Sequence, residues 1–196
     1  MAGPEGGKLV KFGMLPAFFS FLSHRKALVL GTSVGLFFVL VYRSFIKEVV
    51  LILILAIIGI FSTYYKRLTR VPPAVELITF GTVMVGLAYG PLMGALFGAI
   101  VTIIAEVFNS GIDFFIVGYV PARAIVGAVS SFFPGSSIIV LGSSMSLLYN
   151  AVAQPLYAFQ SDAELRLKLL AFVLVNVSFN FLAFTLLGGP VKDLIM

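Results

Sequence analysis

From Ala27 to Leu187 the chain is a succession of apolar runs divided by short breaks of charge, glycine and proline. The purest of them, VVLILILAIIGIF, lies within Val49 to Tyr65. A chain that is 60% hydrophobic and only 11% charged cannot cover this much apolar surface in water, since soluble domains carry about a quarter charged residues. Lipid is the solvent its surface requires. In lipid every backbone N–H and C=O must be bonded within the protein, so only helices or closed barrels can cross. Barrel strands alternate in polarity over about ten residues. These runs are continuous, and helices are expected: an all-α, polytopic integral membrane bundle with six or seven transmembrane helices, multi-pass in the cell membrane.

Charges and breakers mark the segments. Residues 1–26 are basic and hold a short apolar stretch, Phe12 to Leu22, in which Leu15 to Leu22 is expected as a short amphipathic helix along the interface, and the run from Ala27 is expected as a retained first helix. Residues 27–65 are expected to form a transmembrane hairpin, Ala27 to Tyr42 and Val49 to Tyr65, turning at Arg43 to Glu48. Residues 66–74 are a basic, proline-bearing linker, and proline disfavours helix at the residue before it. A core bundle is expected over 75–190, in five segments: Val75 to Tyr89, Leu92 to Phe108, Phe114 to Phe133, Ile138 to Phe159 and Leu169 to Leu187. Gly188-Gly189-Pro190 is expected to stop the last helix, leaving a tail over 191–196.

Basic residues set the orientation. Residues 1–70 hold nine Lys and Arg against two acids, whereas residues 71–196 hold four against six. Positive charge marks the cytoplasmic side, which places His24-Arg25-Lys26 and Lys66-Arg67-Arg70 inside. The sequence pI near 9.6 therefore reflects topology. Nucleic acid is not an expected partner, because no basic patch is interleaved with aromatics on a soluble face.

Gly86, Gly90, Gly94 and Gly98 recur at intervals of four, with Pro91 beside the second. Gly94 and Gly98 share a helix face and let another backbone approach closely. Gly90-Pro91 reads as the end of one helix and the start of the next. Acids and a base lie where charge is costly, and such residues are candidate functional groups. Glu76 begins a segment, where a carboxylate also favours the helix dipole. Glu106 and Asp113 flank the turn at Asn109-Ser110-Gly111. Arg123 stands ten residues into its segment and needs an acid, carbonyls or an anionic ligand; Glu106 is the expected internal acid. Asn150 and Gln154 are i, i+4 on one helix, and Asn176 and Asn180 are i, i+4 on the next. Those amides serve either as interhelical hydrogen bonds or as a neutral binding surface, and Tyr149 and Tyr157 flank them.

No cysteine is present and the one histidine, His24, cannot hold a metal alone. The phosphate loop with lysine, the Gly-x-Ser-x-Gly elbow and His-Glu-x-x-His are all missing. No enzyme, cofactor or metal site is expected.

The stretch VELITFGTVMVGLAYGPLMGALFGAIVTIIAEVF resembles the substrate-binding S components of energy-coupling-factor (ECF) transporters. Gly90, Pro91, Gly94 and Gly98 match the Gly-Pro turn and spaced glycines of that family, and Glu106 stands near its usual aspartate. Pro121 to Gly135, PARAIVGAVSSFFPG, resembles the helix next in order. The likeness covers about a third of the chain. It implies a membrane-embedded solute-binding subunit for a vitamin-like molecule or metal ion. Such a subunit has no ATPase of its own and works with a transmembrane coupling subunit and cytoplasmic ATPases. Laid on that family's topology, the Gly-Pro turn puts Lys66 to Arg70 outside, against the charge rule. Two other classes stay open: a structural scaffold resembling MreD-like proteins, with the glycine seam as its interface, and a small channel or ion-coupled carrier with Glu106, Asp113 and Arg123 along a polar path.

Overall fold

The computed structural model describes residues 14–65, 67, 74–109, 116–158 and 163–196. Within them are six helices and no strand: α1 Met14–Val41, α2 Arg43–Ser62, α3 Ile78–Asn109, α4 Ile116–Ser130, α5 Ile138–Ala158 and α6 Ala163–Ile195. Four of these contain stretches long and apolar enough to cross a membrane: Phe45–Ser62, Ile78–Asn109, Ile138–Leu156 and Leu169–Ile195. The apolar stretches Leu28–Val41 and Ile116–Ser130 are shorter. The described residues are thus all-helical, with four helices long and apolar enough to cross a membrane where six or seven were expected.

Two units make up the chain, Met1–Lys47 and Glu48–Met196. In the first, α1 is one continuous helix where a separate interfacial segment was expected over residues 15–22. Pro16 falls in its first turn, where the missing N–H removes no helical bond. From Leu28 to Val41 the side chains of α1 are exposed, and this apolar surface requires lipid or protein around it. Residues 43–48, expected as a turn, are helical. Tyr42 N–H donates to Phe38 O at 2.8 Å and Ile46 N–H to Tyr42 O at 2.9 Å, so the helical pattern of bonds runs through Tyr42.

The second unit buries a polar group inside an apolar core and is apolar on its outside as well. Glu76, Thr79, Arg123, Asn150, Asn176 and Asn180 are buried, whereas Leu92, Leu174 and Leu186 are each 70% exposed. Water would invert that arrangement.

α3 is broken at Gly90, whose φ of 88° and ψ of 178° are non-helical. That backbone region is essentially glycine's own. The limb over 78–89 is about 18 Å long and the limb over 91–109 about 28 Å, at 1.5 Å per residue. They fold back on each other. A methyl group on Gly94 would lie 2.6 Å from Gly86 Cα, and one on Gly98 would lie 2.9 Å from Thr82 Cγ2. These pairs sit symmetrically about Gly90, which is the signature of an antiparallel hairpin. α4 packs into the same seam: the Gly127 carbonyl oxygen would meet methyl groups on Gly86 and Gly94 at 2.3 and 2.4 Å. Gly86, Gly94 and Gly98 are therefore consumed inside the fold.

α5 and α6 form a second antiparallel pair. The Phe184 ring occupies the space beside Gly142, and Gly188 lies against Ile138. Phe184 also meets Phe80 at 4.9 Å between ring centroids, joining this pair to α3. Two expected boundaries shift on α6. Residues 163–168, expected in a polar loop, form its first turns, and Gly188-Gly189-Pro190 does not stop it. Pro190 removes a single N–H from the helical ladder, and the helix continues to Ile195.

Candidate functional site

The site begins at the start of α3. Glu76 is fully buried, and its carboxylate caps the helix: Ile78 N–H and Thr79 N–H donate to Oε2 at 2.6 and 3.0 Å. These are N–H groups that have no partner within a helix, and the carboxylate also meets the positive end of the dipole. Thr79 Oγ1 donates to Glu76 Oε1 at 2.7 Å. On the same oxygen falls Arg123 Nη2, at 2.9 Å, in an ion pair whose side chains are 3% and 1% exposed. Arg123 Nη1 donates to Thr79 Oγ1. The acid against Arg123 is therefore Glu76 and not Glu106. The short limb of α3 runs alongside α4, and that packing brings the start of one helix to the middle of the other. Glu106, 5% exposed, lies in the last turn of α3.

Arg123 is held on another side by an aromatic face. Its Cζ lies 3.9 Å from the centroid of the Tyr149 ring, a cation–π contact, and Tyr119 lies 6.2 Å from Tyr149 between centroids. A carboxylate with several hydrogen-bond donors and a guanidinium with an acid, a hydroxyl and a ring make a pair that tolerates burial. Stripped of those partners, either charge would be strongly unfavourable.

From the pair, a line of amides runs outward along α5 and α6. Asn176 Nδ2 donates to the Ala74 carbonyl at 2.9 Å and reaches Glu76 Oε1 at 3.4 Å. Asn176 Oδ1 accepts from Ser146 Oγ at 3.0 Å and from Asn150 Nδ2 at 2.9 Å. Asn150 Oδ1 accepts from Gln154 Nε2 at 3.3 Å. Asn180 is buried one turn beyond Asn176 and donates from Nδ2 to the Asn176 carbonyl at 2.9 Å. Periodicity put each pair of amides on one face, and packing turned the two faces together.

Gln154 and Asn150 also line an open groove of about 850 Å³ between α5 and α6, on whose wall Leu147 and Leu170 are 53% and 63% exposed. That is within the 300–1,000 Å³ of ordinary small-molecule sites. The rest of its wall is apolar, with Leu147, Ala151, Pro155, Leu170 and Val173 among the lining residues. No charged side chain lines it among the described residues.

Glu76, Arg123, Asn150, Gln154, Asn176 and Asn180 thus belong to one connected group, of which two reach the groove. Asp113 lies outside the described residues. Sequence reasoning did not select Thr79, Ser146 or Gly127. The signal for Thr79 was its place three residues after Glu76, one helical turn on. Gly127 carried a comparable signal, one turn after Arg123, while Ser146 stands four before Asn150. Among the described residues, no group of three or more His, Cys, Asp or Glu could hold a metal.

Comparison with protein-family models, curated proteins and solved structures finds no match.

Proposed function

We propose that the chain is a solute-binding subunit of a transporter in the cell membrane, without catalysis of its own, and that the groove between α5 and α6 receives the solute. The carrying observation is the groove itself: a small-molecule volume with two carboxamides on an apolar wall. Behind it, Arg123 and Glu76 anchor the amides from within and do not line it. A small organic solute suits such a wall better than a bare metal ion, which would need several anionic or imidazole donors. The resemblance of residues 75–108 and 121–135 to S components points the same way. On that reading a coupling subunit and cytoplasmic ATPases supply the energy. The scaffold reading needs the glycine seam on the surface, and here α3 and α4 occupy it.

Native mass spectrometry of the protein purified in mild detergent tests this. A stoichiometric small solute is expected, and Ala151→Phe, which sets a ring among the lining residues, should weaken its retention. Self-association or other membrane subunits with no solute in either protein would favour the scaffold.

A further inference from the structure

Resting on the solute-site reading of the groove between α5 and α6, we propose that its solute is a lipophilic molecule with a single hydrocarbon chain, and that this molecule enters sideways from one leaflet of the bilayer. The first ground is what the amides leave on the wall. Asn150 gives Nδ2 to the Ser146 carbonyl and to Asn176 Oδ1, and its own Oδ1 accepts from Gln154 Nε2. Its hydrogen bonds are thereby spent within the protein. Gln154 Oε1 has no surface open to the groove, which leaves one Nε2 hydrogen of Gln154 as the remaining polar point. The other lining residues are alanine, valine, leucine and proline. A water-soluble solute carries several polar groups, and such a wall would strip their hydration without replacing it. A hydrocarbon chain loses nothing of that kind.

The second ground is where the groove lies. The membrane-crossing stretch of α5 is Ile138–Leu156, and Leu147 stands at its middle. From Leu147 the groove runs to Ala158, about 17 Å at 1.5 Å per residue. One leaflet is half of a hydrocarbon core about 30 Å thick, so groove and leaflet agree in length and depth. Its rim faces lipid: Leu147 and Leu170 are 53% and 63% exposed, and Leu174, one turn beyond Leu170, is 70% exposed. A chain dissolved in that leaflet reaches the groove without crossing water. Bilayer phospholipid is in excess there, so a solute site on this rim must prefer another molecule. A single chain fills the groove and leaves no second chain to place over the rim.

The chain has no tryptophan, so one introduced indole reports on one place. Leu170→Trp sets it on the groove rim, and Leu186→Trp sets it at a lipid-facing position of the same helix away from the groove. Each full-length variant is reconstituted in phosphatidylcholine vesicles and quenched with doxyl-labelled stearamide, or with phosphatidylcholine carrying the same doxyl group on one chain. Stearamide is expected to quench Leu170→Trp saturably at low probe content, with loss of most of the emission, and unlabelled stearamide should restore it. Leu186→Trp should be quenched only in proportion to probe content, and labelled phosphatidylcholine should quench both variants in proportion. Proportional quenching of Leu170→Trp by both probes would overturn the lipophilic assignment. In that case a water-soluble solute retained by the unsubstituted protein in native mass spectrometry would leave the solute site standing, and no retained solute would overturn both. Saturable quenching of Leu170→Trp by labelled phosphatidylcholine would make the groove a site for bilayer lipid and would overturn its preference for a single-chain solute.

Discussion

Arg123 holds its position through partners on two other helices or their approaches: Glu76 and Thr79 at the head of α3, and the Tyr149 ring on α5. Its removal leaves the Glu76 carboxylate buried without its counter-charge, which typically costs about 3–5 kcal/mol. Arg123→Leu should therefore lower the melting temperature of the detergent-solubilised protein strongly. Arg123→Leu combined with Glu76→Gln should recover a large part of the loss, because the stranded charge is gone and the amide can still accept from the head of α3. A double variant no more stable than the single would refute the charge-pair account. At this scale the candidates were legible individually: a base and an acid in apolar runs stand out in any reading. Their pairing was not. Glu106 is the nearer acid in sequence, and only the lateral packing of the short α3 limb on α4 put Glu76 in reach.

Among elements, the α3 hairpin and α4 depend on glycines whose missing side chains are filled by backbone. A methyl group at Gly127 would fall 2.1 Å from the Gly94 carbonyl oxygen, a distance at which one helix must move. Gly127→Ala should destabilise the protein by about 1–3 kcal/mol, the usual cost of overpacking. Gly90→Ala should cost a similar amount for a different reason, since its φ of 88° strains any side chain and no neighbouring atom crowds it. Gly31→Ala on α1 is the control: nothing lies within 4 Å of the added methyl, and stability should be unchanged or slightly raised. Thermal melts of the three variants check the order, and a Gly127 variant as stable as the Gly31 variant would contradict the seam. The four-residue spacing and the Gly-Pro break were readable as a seam and a helix end. Which surface the seam meets was not readable, and neither was the length of α6, because a proline late in a helix removes one bond without ending the helix.

For the second unit as a whole, the antiparallel pairs give two opposite ends. Thr63 and Asn109 meet at one, where Asn109 Nδ2 donates to Thr63 Oγ1 at 2.6 Å. The Gly90 break and the turn between α4 and α5 lie toward the other, as the contacts of Gly86 with Ser130 and of Gly188 with Ile138 require. The charge rule places the Arg67 end in the cytoplasm. With no native cysteine, Gly135→Cys should react with a membrane-impermeant maleimide in intact cells, and Arg67→Cys only after permeabilisation. The reverse labelling would match the topology that the S-component resemblance implies, and would set the charge rule aside for this protein.

The sequence by itself determined the solvent, the helical class, most helix positions and the break at Gly90, because hydropathy and backbone geometry act over a few neighbouring residues. Only the tertiary structure decided that Gly86, Gly94 and Gly98 are spent internally, that Glu76 is the partner of Arg123, and that the amides join end to end beside a groove. Those features depend on which helix faces meet, and the faces meet according to packing across tens of residues, which no local pattern records.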